Sequence, residues 1–274
     1  MNLSATLAAH LNAQKEEKDR DPARLYVSDM GKCPRMVAYR IQQTELDPVA
    51  EQSKVNKTIM FDLAERIEAN LADALRAEGN LLGYQDGISL LPHENWGGRL
   101  DIVAMYKGSP RIIEVKTIHP NAFNHDIDYP QHHMQAAVYD IYYDWAGAQH
   151  DYPIVVYFDR GGQNTSIEQD CGYSRAEIES EMRKLEQARE YALRGDLPPK
   201  MKKELKLRSY GKQIVLEPNH QCAYCDYAMT CKPDTGKSVW AERPDNKSPF
   251  TAKKKADPEM LAEFAREMAT EVLS

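Results

Sequence analysis

Met60, Ala64, Ile67, Leu71 and Leu75 recur every three or four positions and predict a long helix over Val55 to Ala77, stopped by Gly79. Glu68 lies on the edge of that apolar stripe. Met134, Val138, Ile141 and Trp145 give the same spacing in "PQHHMQAAVYDIYYDWAG". This predicts a second helix with Pro130 in its first turn and Gly147 beyond its end. The capping box "SRAE", Ser174 to Glu177, opens a third, with Ile178, Met182, Leu185 and Ala192 inward and Gly195 at its close. Ser28 reads as the N-cap of an earlier helix through "CPRMVAYRIQQ", and Asp257–Pro258 starts a terminal one carrying Leu261, Phe264, Met268 and Val272.

Strand patterns occupy the middle of the chain: around Leu82 to Leu90, then Arg99 to Tyr106, Arg111 to Ile118, and the β-branched run "PIVVYFDR". Helices, a run of strands, a helix, more β and a helix predict an α/β or α+β architecture, with a central mixed sheet flanked by helices. There is no internal repeat.

Composition narrows the function classes. Of 274 residues, 42% are hydrophobic and 28% charged, ordinary for a globular chain. No apolar run approaches the roughly 20 residues that cross a membrane, and the polar start "MNLSATLAAHLNAQKEEKDR" lacks the plan of a secretion signal. The cytoplasm is the expected location. Net charge is −7, which does not advertise nucleic acid, yet "PPKMKKELKLRSYGK" and Lys253 to Lys255 are basic runs that suit either phosphates or plain solvation.

Three charges interrupt the predicted sheet. Glu114 and Lys116 are two apart in a strand and share a face, with Ile113 and Val115 turned to the core. Asp101 ends "GRLD" on the preceding strand, in a register that can set it beside Glu114. Converging carboxylates repel unless a cation lies between them, and hard oxygen donors suit Mg²⁺ or Mn²⁺. Lys116 would then orient or deprotonate a metal-bound water, and Glu68 offers a third acid. The spacing alone equally fits a solvent-facing Glu–Lys pair with an unrelated Asp.

Cys222, Cys225 and Cys231 form C-x2-C-x5-C, and Cys33 stands near the other end of the chain. Four thiols suit either zinc or an iron–sulfur cluster. A disulfide framework is not expected without a secretion signal, and Cys171 reads as a buried or incidental thiol.

In order, the chain shows a lone Cys in "CPR", an acid-bearing helix, "GRLD", "EVK", a Gln-x-x-x-Tyr pair and C-x2-C-x5-C. This series resembles the iron–sulfur branch of the RecB-type nucleases in the PD-(D/E)XK superfamily, which includes a small CRISPR-associated exonuclease and stand-alone phage enzymes. The resemblance covers Cys33 to Cys231. It implies a restriction-endonuclease-like core and a metal-dependent exonuclease acting on single strands or DNA ends, 5′ to 3′.

Asp101, Glu114, the Val115 carbonyl and Glu68 would hold Mg²⁺ or Mn²⁺, Lys116 would serve the attacking water, and Gln135 and Tyr139 would meet DNA. Cys33, Cys222, Cys225 and Cys231 would carry a structural [4Fe–4S] cluster that joins the two ends of the domain, with zinc the alternative. Glu68 stands where many relatives carry His, with Glu65 the neighbouring residue in the alignment. The implied division is an N-terminal arm at 1–27, a nuclease domain at 28–235, and a linker with an amphipathic helix at 236–274. That helix offers a surface for a partner, and the oligomeric state stays open. The rival expectation is a DNA-end or partner-binding protein without catalysis.

Overall fold

A computed structural model describes residues 3–14, 21–90, 92–123, 129–162, 166–201, 204–208, 213–217, 220–223, 225–231, 240–241, 250–251 and 254–255. In chain order these begin with α1 (Leu3–Gln14), β1 (Leu25–Tyr26), α2 (Pro34–Ile41), α3 (Pro48–Ala77), β2 (Leu81–Tyr84) and β3 (Trp96–Gly97). Next come β4 (Ile102–Tyr106), β5 (Ser109–Ile118), α4 (Pro120–Phe123), α5 (Pro130–Tyr142), β6 (Ile154–Asp159), β7 (Ile167–Asp170) and α6 (Arg175–Leu193). Last are β8 (Glu204–Arg208), β9 (Gln213–Glu217), α7 (His220–Ala223), α8 (Ala228–Cys231), β10 (Trp240–Ala241), β11 (Phe250–Thr251) and β12 (Lys254–Lys255). Two compact units emerge, one of residues 1–43 with 54–196 and one of 44–53 with 197–274.

In the first unit a five-stranded sheet runs β2-β4-β5-β6-β7. All neighbours are antiparallel except β5 and β6, which are parallel, so the sheet is mixed as expected. Lys107 and Gly108, both with positive φ (52° and 87°), make the tight turn between β4 and β5. That turn fixes the register Ile102↔Ile113 and Val103↔Ile112. One face buries Ile102, Ala104, Ile113, Val115, Ile154 and Val156 under Ala72, Ile67, Leu71 and Leu75 of α3. The other buries Ile118, Val155, Tyr157 and Cys171 against Ala136 of α5. Thus Ile113 and Val115 face the core under α3, and Glu114 and Lys116 face the opposite way.

Helix α3 ends as its sequence dictates. Gly79 sits at φ +75°, and the Asn80 and Gly79 amides donate to the Leu75 and Arg76 carbonyls at 2.8 and 3.0 Å. The box at Ser174 and Glu177 caps α6, which buries Ile178, Met182, Leu185, Ala188 and Ala192. Cys171 is buried, and its thiol is pushed up to about 12 by burial and the nearby Glu114 and Asp170 charges. No helix among the described residues is long and apolar enough to cross a membrane.

Several local expectations need correction. Ser28 does not cap a helix: it lies in a 3-10 turn at Val27–Asp29, and α2 starts at Pro34 with Cys33 in the N-cap position. Gly31, at φ +69°, turns the chain between them where a side chain would meet Gln131 Cβ at 2.9 Å. The strand read from Leu82 to Leu90 stops at Tyr84 because Gln85 adopts φ 52°. Helix α5 ends at Tyr142, short of Trp145, which leaves the stripe and stacks on His150 with centroids 4.0 Å apart. In the second unit the basic stretch is partly strand, since β8 pairs with β9 from Glu204↔Glu217 to Arg208↔Gln213. The expected terminal helix from Asp257 lies outside the described residues.

Two residues placed by this fold generate tests. Gly98 passes so close to its neighbours that a Cβ would lie 2.6 Å from Val27 Cγ2 and 3.0 Å from Tyr139 Cε1. Gly98→Ala is expected to lower stability by about 1–3 kcal/mol, read from the urea unfolding midpoint; an unchanged midpoint refutes the packing argument. On α5, burial pushes the Asp140 carboxyl up to about 6, against the pull of His150, whose Nε2 lies 3.5 Å away. A raised carboxyl means that the folded chain binds more protons than the unfolded one between roughly pH 4 and 6, so stability falls as pH rises through that window. Asp140→Asn is expected to flatten this slope and to gain about 2–3 kcal/mol near pH 7, measured by thermal melts across pH.

Candidate active site

Extending the β4–β5 register by one step sets Asp101 opposite Glu114. Asp101 Oδ2 then accepts a hydrogen bond from the Val115 amide at 2.8 Å, which fixes its carboxylate against the strand. Glu114 is 3% exposed and pairs with the Lys116 ammonium through Oε1, while its Oε2 is buried with no hydrogen-bond partner. A buried, unsatisfied carboxylate oxygen costs about as much as a lost charged hydrogen bond. Its presence beside a second carboxylate is what a cation-binding position leaves when protein donors alone surround it.

The electrostatics say the same. Burial and the Glu114 charge push the Asp101 carboxyl well above its ordinary value, with Lys116 pulling the other way. Burial works against the Lys116 ammonium, yet the Glu114 and Asp101 charges outweigh it and raise its pKa. The two acids repel, and one ammonium compensates only part of that repulsion. Two hard carboxylates and an orphaned oxygen fit Mg²⁺ or Mn²⁺.

Glu68 reaches the same field from α3. Its Oε1 accepts from Gln85 Nε2 at 2.9 Å, and burial is the main cause of its raised carboxyl, opposed by Gln85 and Arg99 and reinforced by Glu114. Glu65 is exposed. Even so, no group of three or more His, Cys, Asp or Glu among the described residues forms a ready metal cage. Asp101 and Glu114 are brought together as a pair, and the Glu68 carboxylate is tied to Gln85.

A cleft of about 500 Å³ opens over the pair, lined by Asp101, Glu114, Lys116, Gln135, Tyr139 and Arg99. Gln135 and Tyr139 are one turn apart on α5 and nearly buried, at 7% and 6%. The Tyr139 phenol is held far above its usual pKa by burial and the two carboxylates, and it meets the Arg99 backbone, so it stays neutral. Short parallel pairing of Leu25–Tyr26 with Trp96–Gly97 brings Arg24, Tyr26 and Ser28 to the same cleft. Sequence reading gave none of those three, nor Gln85, a place in the site; Ser28 was read only as a helix cap. Arg99 stood in plain view inside "GRLD", whereas Arg24 carried no motif to mark it.

The cysteines are placed as follows. Cys33 precedes α2 in the first unit; Cys222, Cys225 and Cys231 lie in the second, all four are partly exposed, and none of the five cysteines is in a disulfide. The Tyr227 amide donates to Cys225 Sγ at 3.5 Å.

Comparison with known proteins places the chain. No curated protein matches its sequence. Among solved structures, SSO0001 aligns with a TM-score of 0.46 at 16% identity, over 84% of this chain and 93% of its own. An alkaline exonuclease from Laribacter hongkongensis gives 0.38 at 15% identity, over 64% of this chain and 94% of that one. Its complex with dAMP gives 0.32 at 16% identity over the same shares. With TM-scores below 0.5, these likenesses carry no weight in the assignment. The sequence pattern of the PD-(D/E)XK nuclease superfamily, in contrast, matches residues 5–232, from α1 through the last cysteine, and on that match the chain belongs to this superfamily.

Proposed function

We propose that this chain is a metal-dependent deoxyribonuclease, an exonuclease acting on single strands or DNA ends. The observation that carries this reading is the Asp101–Glu114 pair, with the unsatisfied Glu114 Oε2 and the Lys116 ammonium in one cleft. Mg²⁺ or Mn²⁺ bound there would supply Lewis acidity toward the phosphate and an activated water. Asp101 and Glu114 are its principal ligands in this reading, with the Val115 carbonyl and Glu68 completing the set.

Lys116 orients the water and lends positive charge to the phosphate as negative charge develops. Gln135 and Tyr139 hold the strand, the neutral phenol serving as donor. Arg99 presents its guanidinium fork to the backbone phosphates, the pairing that planar cations make best, and Arg24 adds positive charge from a guanidinium that donates to the Trp96 carbonyl at 2.7 Å. The polarity, 5′ to 3′, rests on the resemblance alone, as does a setting in prokaryotic or phage DNA processing, recombination or CRISPR adaptation; a cytoplasmic location is the expectation from the polar, signal-free start.

For the thiols we propose a structural [4Fe–4S] cluster on Cys33, Cys222, Cys225 and Cys231, with zinc as the alternative occupant. The spacing supports it, and so does the amide directed at Cys225 Sγ, because hydrogen bonds to sulfur favour thiolate ligands. A brown protein absorbing near 400 nm, against a colourless one containing zinc, separates the two.

The decisive assay follows end-labelled DNA with Mn²⁺. Asp101→Ala is expected to lower the cleavage rate by about 10³-fold or more, the scale of losing several kcal/mol of metal-borne stabilisation. DNA affinity, read by fluorescence anisotropy, should stay within about threefold of wild type, a change under 1 kcal/mol. If the unaltered protein binds DNA but cleaves none of it with Mn²⁺, the non-catalytic binding module is the correct reading.

A further inference from the structure

We propose that Gln85 is a positioning residue of the acidic cleft, tying the Glu68 carboxylate and the Asp101 backbone into one fixed arrangement. Its share in the reaction rests on the nuclease reading given above. Gln85 follows β2, whose register Tyr84↔Ile102 brings it beside Asp101. Its backbone amide donates to the Asp101 carbonyl at 2.8 Å, and its side-chain Nε2 donates to Glu68 Oε1 at 2.9 Å. An ionised carboxylate only accepts, so the end of the Gln85 side chain that faces Glu68 is its NH₂. Asp101 is thereby gripped twice, at its carbonyl by Gln85 and at its carboxylate by the Val115 amide. Glu68 has no other hydrogen-bond partner among the described residues.

The backbone singles this residue out. Gln85 takes φ 52°, a left-handed conformation that favours glycine and costs a glutamine free energy. Among the described residues four non-glycines adopt a positive φ. Lys107 and Ala146 each precede a glycine in a turn, and Gln43 follows the end of α2. Gln85 alone of the four bonds to two acids of the site. Strain of this kind persists where surrounding contacts hold it, and it gathers at functional positions. Glycine or asparagine would suit the backbone better, but glycine has no side chain and asparagine is one methylene shorter. The charge that Gln85 places is felt across the pair: Glu68 acts on Asp101, Glu114 and Lys116. Released from Gln85, this half-buried carboxylate turns toward water, where its charge is best solvated, and the field over the pair changes.

The test places Gln85→Gly, which suits the left-handed backbone and deletes the side-chain amide, in the full-length chain with and without Glu68→Ala. On end-labelled DNA with Mn²⁺, Gln85→Gly is expected to lower kcat about 10–100-fold, the scale of a misplacement of about 1 Å. KM and metal-free DNA affinity should stay within about threefold of the unaltered chain. In the Glu68→Ala background the same change should cost less than about threefold, because no carboxylate is left for Gln85 to hold. An equal loss in both backgrounds overturns the proposal, as does full-rate cleavage by Gln85→Gly. A second readout needs neither metal nor DNA. The shifts in unfolding midpoint caused by Gln85→Gly and Glu68→Ala should fail to add, since either change removes the same hydrogen bond, and additive shifts overturn the contact itself. If Gln85→Gly does not fold, Gln85→Asn, which suits the backbone and shortens the reach, carries both tests. An unaltered protein that binds DNA and cuts none overturns the nuclease reading instead, and the midpoints still decide whether Gln85 holds Glu68.

Discussion

Two carboxylates set face to face by one antiparallel register govern the cleft. Burial and the neighbouring Glu114 make charge on the Asp101 carboxylate costly, and a compensating cation relieves that repulsion. The chain supplies part of that compensation through Lys116 and the Val115 amide, and leaves Glu114 Oε2 unanswered. The surrounding structure keeps this unfavourable arrangement from relaxing. Strand β5 is held on both sides, by β4 and by β6, so Glu114 cannot swing away from Asp101 without breaking a ladder.

The helices divide the remaining labour. On one face α3 covers the apolar half of the strands and brings Glu68 to the edge of the charged pair. On the other, α5 brings Gln135 and Tyr139 over it. The close passage of Gly98 against Val27 and Tyr139 lets the "GRLD" segment, the 3-10 turn and α5 meet at a distance no side chain would allow. The cleft is therefore shaped by backbone as much as by its polar lining.

Much of this was legible in the chain. The period-two pattern around Glu114 separated core from site face, and the helical stripe of α3 put Glu68 at its edge, though only the family resemblance chose Glu68 over Glu65. Ser174 with Glu177, and Gly79, announced their helix ends because capping chemistry is local. What stayed hidden depended on partners far away in sequence. Arg24 and Ser28 reach the cleft only through the pairing of Leu25–Tyr26 with Trp96–Gly97, some 70 residues on. The β8–β9 hairpin was masked by its lysines, whose charge reads as solvation while the backbone pairs regardless. Helix α5 carried an apolar stripe as far as Trp145, but Trp145 finds a better partner in the His150 ring than in continued helix.

The hydrogen bond from Met229 to Asp47 spans 182 residues. At a ribosomal pace of about 5–20 residues per second, the carboxylate is made on the order of 10–40 seconds before the amide that will answer it. The turn between Cys225 and Cys231 thus cannot close on Asp47 until both distant segments have been made.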